Sequence, residues 1–261
     1  MTAEIGPATR AHYDRYSYDF ETSEHAAMQL DESLLGEAIR GVRPGELVLD
    51  GGCGTGLVSR LVRGVTRARA VVGLDLSLGS LRRARTASPG VAFAQGDLLR
   101  IPFRDDSVDF VLSRGVIMTT GAPERAFREL ARVTKPGGRF YVRVYNRRNV
   151  YRWTYELGSP VCRAIARLPG GTTLLALLVV PPFWIALQLA VLVLRRRIVR
   201  MSPTVLWNVF ADQLLVPHNS FHTVEEVRGW GEAAGLGCIG SRTITLGQQI
   251  ELLFSKSSGA A

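Results

Sequence analysis

Between residues 46 and 145 short apolar runs alternate with stretches whose apolar residues recur at helical spacing, the pattern of a parallel α/β sheet. ELVLD (46–50) is predicted as a buried strand, with a helix from 57 to about 65. AVVGLDL (70–76), VAFAQGD (91–97) and SVDFVLS (107–113) are predicted as the next three strands, with a helix through Leu81 to Thr86 after the second. The helical run ERAFRELARVT (124–134) leads through Lys135-Pro136-Gly137-Gly138 into a fifth strand, RFYVRVY (139–145).

After Asn146 the alternation stops and resumes at Thr223, where Thr223-Val224-Glu225-Glu226 is a capping box opening a helix that Gly235 is placed to end. CIGSRTITL and IELLFSK then read as two strands joined by a turn at Gly247. The expected architecture is a Rossmann-like, doubly wound, seven-stranded α/β sheet with a last antiparallel strand. Four parts follow: an N-terminal helical segment (1–45) over the active edge, a core (46–146), a helical apolar insertion (147–222), and a return to the core (223–261).

The insertion centres on LLALLVVPPFWIALQLAVLVL (174–194), in which only Gln188 is polar. Its length suits a membrane span, but the chain must come back to pair with the fifth strand, which excludes an odd number of crossings. A double crossing fails as well. Pro181-Pro182 divides the run, and the longer piece reaches roughly 18 Å as helix, against a hydrocarbon core of about 30 Å. An acceptor lid, a dimer helix and a pair of helices lying in a membrane surface remain as readings.

Composition narrows the class. With 46% hydrophobic and 21% charged residues in 261, the chain is neither disordered nor fibrous. Cys53, Cys162 and Cys238 are widely spaced, which excludes a disulfide scaffold or Cys-rich zinc site and suits a reducing cytoplasm. The first twenty residues hold no apolar run, so no cleavable signal peptide is expected. The net charge is +9, and of 32 basic residues only Lys135 and Lys256 are lysines. The arginines are scattered, with clusters at 143–152 and at Arg195, Arg196, Arg197 and Arg200. A solvated basic surface, nucleic acid and an anionic membrane all fit such a balance.

The chemistry begins at Val48-Leu49-Asp50-Gly51-Gly52-Cys53-Gly54-Thr55-Gly56. A strand runs into an acid and then a glycine loop, where the backbone turns sharply and a ligand approaches closely. Such a loop alone is shared by several nucleotide binders. Asp75 ends the second strand, where a carboxylate accepts from ribose hydroxyls. Asp97 ends the third strand, where a carboxylate receives an exocyclic adenine amine.

VLDGGCGTG, VVGLDLS, QGDLLRIPF, DFVLSRGVIMTT and ARVTKPGGRFYV, in this order, resemble the successive motifs of class I S-adenosylmethionine-dependent methyltransferases. The likeness is to the small-molecule group that includes the ubiquinone/menaquinone and sterol enzymes. It implies S-adenosyl-L-methionine as cofactor, with Asp50, Gly51, Gly52, Gly54 and Gly56 around its amino-acid end and ribose. Asp75 and Leu76 would hold ribose and adenine, Gly96, Asp97 and Leu98 the adenine edge, and Ser113, Arg114 and Gly115 the methionine side. Met118-Thr119-Thr120 stands where many relatives carry a histidine pair, which leaves no base there.

Methyl transfer from a sulfonium is an in-line displacement served largely by positioning. The apolar insertion points to a hydrophobic acceptor such as an isoprenoid, polyketide or lipid, a substrate type common in secondary metabolism. His218 and His222 precede the Thr223 cap at the active edge and are candidate bases, or else structural or surface histidines. No metal site is expected, since no carboxylate or cysteine lies close enough to complete this HxxxH set. Tyr13 and Tyr16, beside His12 and Tyr18, and Tyr145 and Asn146 at the end of the fifth strand, are candidate acceptor-side residues; His25 has no context. An RNA or protein methyltransferase is disfavoured by LSRGV, where an NPPY-type motif would stand, so no nucleic acid is expected. A non-catalytic cofactor-binding scaffold is the other alternative. An exposed apolar patch would also suit a homodimer or peripheral contact with the inner face of the membrane.

Overall fold

The computed structural model describes residues 2–16, 33–195, 203–244 and 247–258. Among the described residues eight strands make one sheet: β1 (Leu47–Gly51), β2 (Ala70–Asp75), β3 (Ala92–Gln95), β4 (Val108–Arg114), β5 (Thr134–Asn146), β6 (Phe221–His222), β7 (Leu236–Ile244) and β8 (Gln249–Lys256). The order is β3-β2-β1-β4-β5-β8-β7. The first five strands are parallel, and β8 runs antiparallel to both β5 and β7. The expected seven strands are joined by the two-residue β6, which pairs Phe221 and His222 in parallel with Tyr145 and Asn146.

Leu47 to Leu49 read as an unbroken apolar run because both faces of β1 are covered. Val48 faces Val71, Phe110 and Leu112, while Leu49 faces Leu74, Val111 and Leu130. The helices on the sheet's faces are α2 (Leu34–Arg40), α3 (Leu57–Val65), α4 (Leu78–Ala87) and α5 (Pro123–Val133), while α1 (Thr2–Arg15) packs on α4. α5 buries Ala126, Phe127, Leu130 and Ala131 at helical spacing. The Phe127 ring meets those of Phe140, Phe254 and Trp230 at 4.8, 5.4 and 5.8 Å. Truncating such a fully buried ring to alanine costs about 3–5 kcal/mol.

The insertion is helical: α6 (Val150–Ala166), α7 (Gly171–Leu178), α8 (Val180–Arg195) and α9 (Pro203–Phe210), the last continued by a π-turn, Ala211–Leu215. α10 (Val224–Ala233) follows, with both hydrogen bonds of its capping box formed and Gly235 at φ +72° just beyond its end. The apolar run breaks at Val179 rather than at the proline pair. Pro181 and Pro182 lie in the first turn of α8, where the missing N–H groups would have no helical partner anyway. α8 has 16 residues, roughly 24 Å at 1.5 Å each rather than 18 Å. Among the described residues no helix is long and apolar enough to cross a membrane.

Helix α6 holds the π-turn in place. A π-turn displaces carbonyls from their usual partners, and hydroxyls along one face of α6 satisfy those that follow from it. Tyr151 donates to the Gln213 carbonyl at 2.8 Å, Ser159 to that of Leu214 at 2.7 Å, and Tyr155 to that of Val216 at 3.1 Å.

Candidate active site

Sheet order reverses between β1, which leads outward to β2 and β3, and β4, which starts the other half. In an open α/β sheet the crevice at this point, outside the carboxyl ends of the strands, is where ligands bind. A cavity lies there. Its floor is the glycine loop after β1 with the β2, β3 and β4 ends, and its walls come from α1, the Ile117–Thr119 turn, β5 and the π-turn.

The loop is tied to its neighbours. Gly52 and Cys53 donate to the Leu74 carbonyl at 2.7 and 3.1 Å. Asp75 clasps the loop from β2, accepting from the Gly54 N–H at 2.8 Å through Oδ2 and from the Ser77 N–H at 2.8 Å through Oδ1. Gly52, at φ +82°, passes so close to Val116 that a Cβ would lie 2.5 Å from its methyls. Gly54, at φ +53°, would instead carry a Cβ into open space, so bare backbone leaves room here for a ligand.

Three strand-end carboxylates line this cavity: Asp50, Asp75 and Asp97. Asp50 is buried and accepts from Ser59 Oγ at 2.5 Å. Burial pushes its carboxyl up to about 6 despite the Ser59 hydrogen bond, and the nearby Asp75 charge adds to the rise. Asp75 is raised as well, by burial first. Asp97 takes the Leu99 N–H at 2.8 Å. Gly96, Leu76, Leu98, Arg114 and Gly115 also reach the cavity, whereas Ser113 is buried beneath it. Gly51 and Gly56 act through packing: a Cβ would strike Leu130 at 2.8 Å at the first and Phe93 at 2.8 Å at the second.

α1 closes the cavity. Asp14 accepts from Ser77 Oγ and the Gly79 N–H at 2.6 and 3.1 Å, Thr9 donates to the Thr119 carbonyl at 3.2 Å, and Tyr13 donates to Asp212 Oδ1 at 3.2 Å. Asp212, on the π-turn, is buried and lines the cavity opposite the glycine loop's strand. Beside it Gln213 donates to the Tyr145 hydroxyl at 3.1 Å. Arg143 reaches the cavity from β5 and is paired with fully buried Glu251, Nη2 to Oε1 at 3.0 Å. Tyr141 also donates to that Oε1, at 2.6 Å.

Sequence reasoning did not single out Thr9, Arg143, Asp212 or Gln249 as site residues. One signal was available, because Asp212 is the single acid between Glu156 and Glu225.

Besides Gly51, Gly56 and Ser113, four expected residues stand elsewhere. His222 has Ser220 Oγ at 2.8 Å on Nε2, Glu226 Oε1 at 3.0 Å on Nδ1 and the Trp230 ring at 4.8 Å, so both nitrogens are engaged away from the cavity. His218 does not line it either; burial first, then the Arg163 charge, lowers its basicity. Tyr16 packs against Trp207, 6.2 Å between centroids, and Asn146 braces the hairpin loop through the Gly247 carbonyl at 2.8 Å. Tyr13 and Tyr145 do line the cavity. Tyr18, His25, Arg196, Arg197 and Arg200 lie outside the described residues.

Comparison with known proteins bears on this geometry. Residues 49–142 match the family described as methyltransferase domain. Over residues 49–142 the chain is thus similar to methyltransferase domains. Around this domain the chain is 39% identical over 116 residues to a malonyl-[acyl-carrier protein] O-methyltransferase of Serratia marcescens, covering 43% of this chain and 44% of that protein. It is 33% identical over 141 residues to a demethylmenaquinone methyltransferase of Streptomyces griseus subsp. griseus, covering 51% and 60%. The match thus spans about half the length of these relatives. The fold of the domain and its additions resembles magnesium protoporphyrin IX methyltransferase of Synechocystis PCC 6803, solved with bound SAH, at TM-score 0.55 and 14% identity over 88% of this chain and 83% of that one. The methyl donor of such a domain is S-adenosylmethionine.

Proposed function

We propose that this chain transfers a methyl group from S-adenosylmethionine to a hydrophobic small molecule whose attacking hydroxyl or amine gives its proton to Asp212. The observation that carries the reading is the convergence of Asp50, Asp75 and Asp97, from three adjacent strand ends, on one glycine-lined cavity. Asp75 suits the ribose hydroxyls and Asp97 the adenine amine, with Leu76 and Leu98 beside the ring. Asp50 and the backbone of Gly52 and Gly54 suit the amino-acid end. S-adenosylmethionine supplies an electrophilic methyl on a positively charged sulfur.

What remains for the protein is to hold the acceptor in line, exclude water and take its proton. Tyr13 closes the cavity from α1 and fixes the Asp212 carboxylate through its hydroxyl. Tyr145 presents an aromatic face, backed by Tyr151 and Phe221 at 4.9 and 5.9 Å between centroids. This aromatic end and the apolar insertion support an acceptor of low polarity, and the quinone-precursor methyltransferase among the relatives agrees with it.

Asp212→Asn tests the assignment. It should lower kcat by about 10²–10⁴-fold, the usual worth of a positioned base, and leave cofactor affinity within twofold. A variant that keeps kcat would remove Asp212 from the chemistry.

A further inference from the structure

We infer that the outer face of the insertion is a docking surface for an anionic lipid bilayer. Helix α6 is apolar on two sides. Tyr155, Ser159 and Cys162 face inward, while Val150, Trp153, Leu157 and Val161, at helical spacing, form a second, exposed stripe, on which the Arg152 guanidinium lies 5.3 Å from the Trp153 ring centre. Trp153 is 58% exposed, Leu157 72% and Val161 59%.

The next two helices repeat the arrangement. α7 buries Leu175 and exposes Leu174, Leu177 and Leu178; α8 exposes Ile185, Leu189 and Leu192 at i, i+4 and i+7. Scattered exposed leucines are ordinary, but three consecutive helices with apolar outer stripes make a surface that calls for a partner.

Charge selects the partner. From Leu157 to Ala211 the chain contains no aspartate or glutamate; besides Arg163, whose guanidinium donates to the Val216 and Pro217 carbonyls, it contains Arg167, Arg195, Arg196, Arg197 and Arg200. The one acid of α6, Glu156, is paired with Arg152 at 2.8 Å. In a two-fold contact between copies the same patch meets itself, which sets arginine-rich segments together with no acid in them to pair. Anionic headgroups neutralise such a segment while the leucines and the exposed indole of Trp153 enter the interface, the placement that amphipathic surface helices adopt.

The test is flotation of the full chain with phosphatidylglycerol/phosphatidylcholine vesicles and with phosphatidylcholine alone, at low and high salt. A triple variant, Leu157→Glu, Val161→Glu and Leu177→Glu, changes only exposed side chains. Wild type should float with the anionic vesicles at low salt and lose about tenfold or more of that binding on neutral vesicles or at high salt. The triple variant should lose about tenfold or more while its Tm and S-adenosylmethionine affinity stay near wild type. Cofactor binding reads the active site separately, so this surface and the proposed chemistry can fail independently. The inference is overturned if wild type stays unbound with both vesicle types, or if the triple variant floats as well as wild type. It is equally overturned if wild type is a vesicle-independent dimer that the triple variant makes monomeric.

Discussion

Replacing Asp50 by asparagine should stabilise the cofactor-free protein, and do so in a pH-dependent way. The Asp50 carboxyl is 2% exposed at the end of β1, and burial raises it from an ordinary 3.8 to about 6. A carboxyl raised on folding binds its proton more tightly in the native state. Its relative contribution is therefore most favourable below pH 4 and is lost as pH rises through 6. About two units at 1.36 kcal/mol each give roughly 3 kcal/mol lost by pH 8. Asparagine keeps an oxygen for the Ser59 hydroxyl but carries no charge, so it escapes this loss. Urea unfolding of both proteins without cofactor, at pH 4, 6 and 8, reads the effect. The variant should exceed wild type by about 1–3 kcal/mol at pH 8, with the gap closing toward pH 4. Other titrating groups, Asp75 included, are present in both proteins and largely cancel in the difference. A variant no more stable than wild type at pH 8, or a gap that does not change with pH, would refute the argument. S-adenosylmethionine affinity should fall in the same variant, so stability and binding move in opposite directions.

Two further substitutions separate packing from chemistry. Gly52→Ala combines a left-handed backbone with a Cβ 2.5 Å from Val116 and should cost about 3 kcal/mol in unfolding experiments. Gly54→Ala meets open space, so it should cost only about 1 kcal/mol of stability while weakening cofactor binding tenfold or more. His222→Gln should lower stability by about 1–2 kcal/mol through the lost Glu226 contact and Trp230 packing, yet leave kcat unchanged once an acceptor is in hand.

The sheet was legible because its central strands are buried on both faces, so Val48-Leu49 and Phe110 to Leu112 stand out as apolar runs beside glycines and acids. The strand-end carboxylates followed, since a strand's last residue and the loop after it fix where they sit. β6 was not legible, because two residues carry no period. The helix break at Val179 was hidden by the more conspicuous prolines, which a first helical turn accepts. Asp212 was hidden too: the π-turn that carries it is fixed by hydroxyls from Tyr151, Tyr155 and Ser159 on another helix, a tertiary cause. His222 illustrates the reverse error. Position before the Thr223 cap suggested a base, but the same capping box puts Glu226 one turn ahead, within reach of the imidazole.

On the proposed function, the glycine-lined cavity at the β1/β4 reversal holds S-adenosylmethionine through its strand-end acids. Calorimetric titration of S-adenosylmethionine into wild type and Asp75→Ala decides this. Saturable one-to-one binding to wild type, weakened about a hundredfold or more by loss of a charge-assisted ribose contact, is the predicted result. No binding to wild type, or undiminished binding to the alanine variant, would contradict the account.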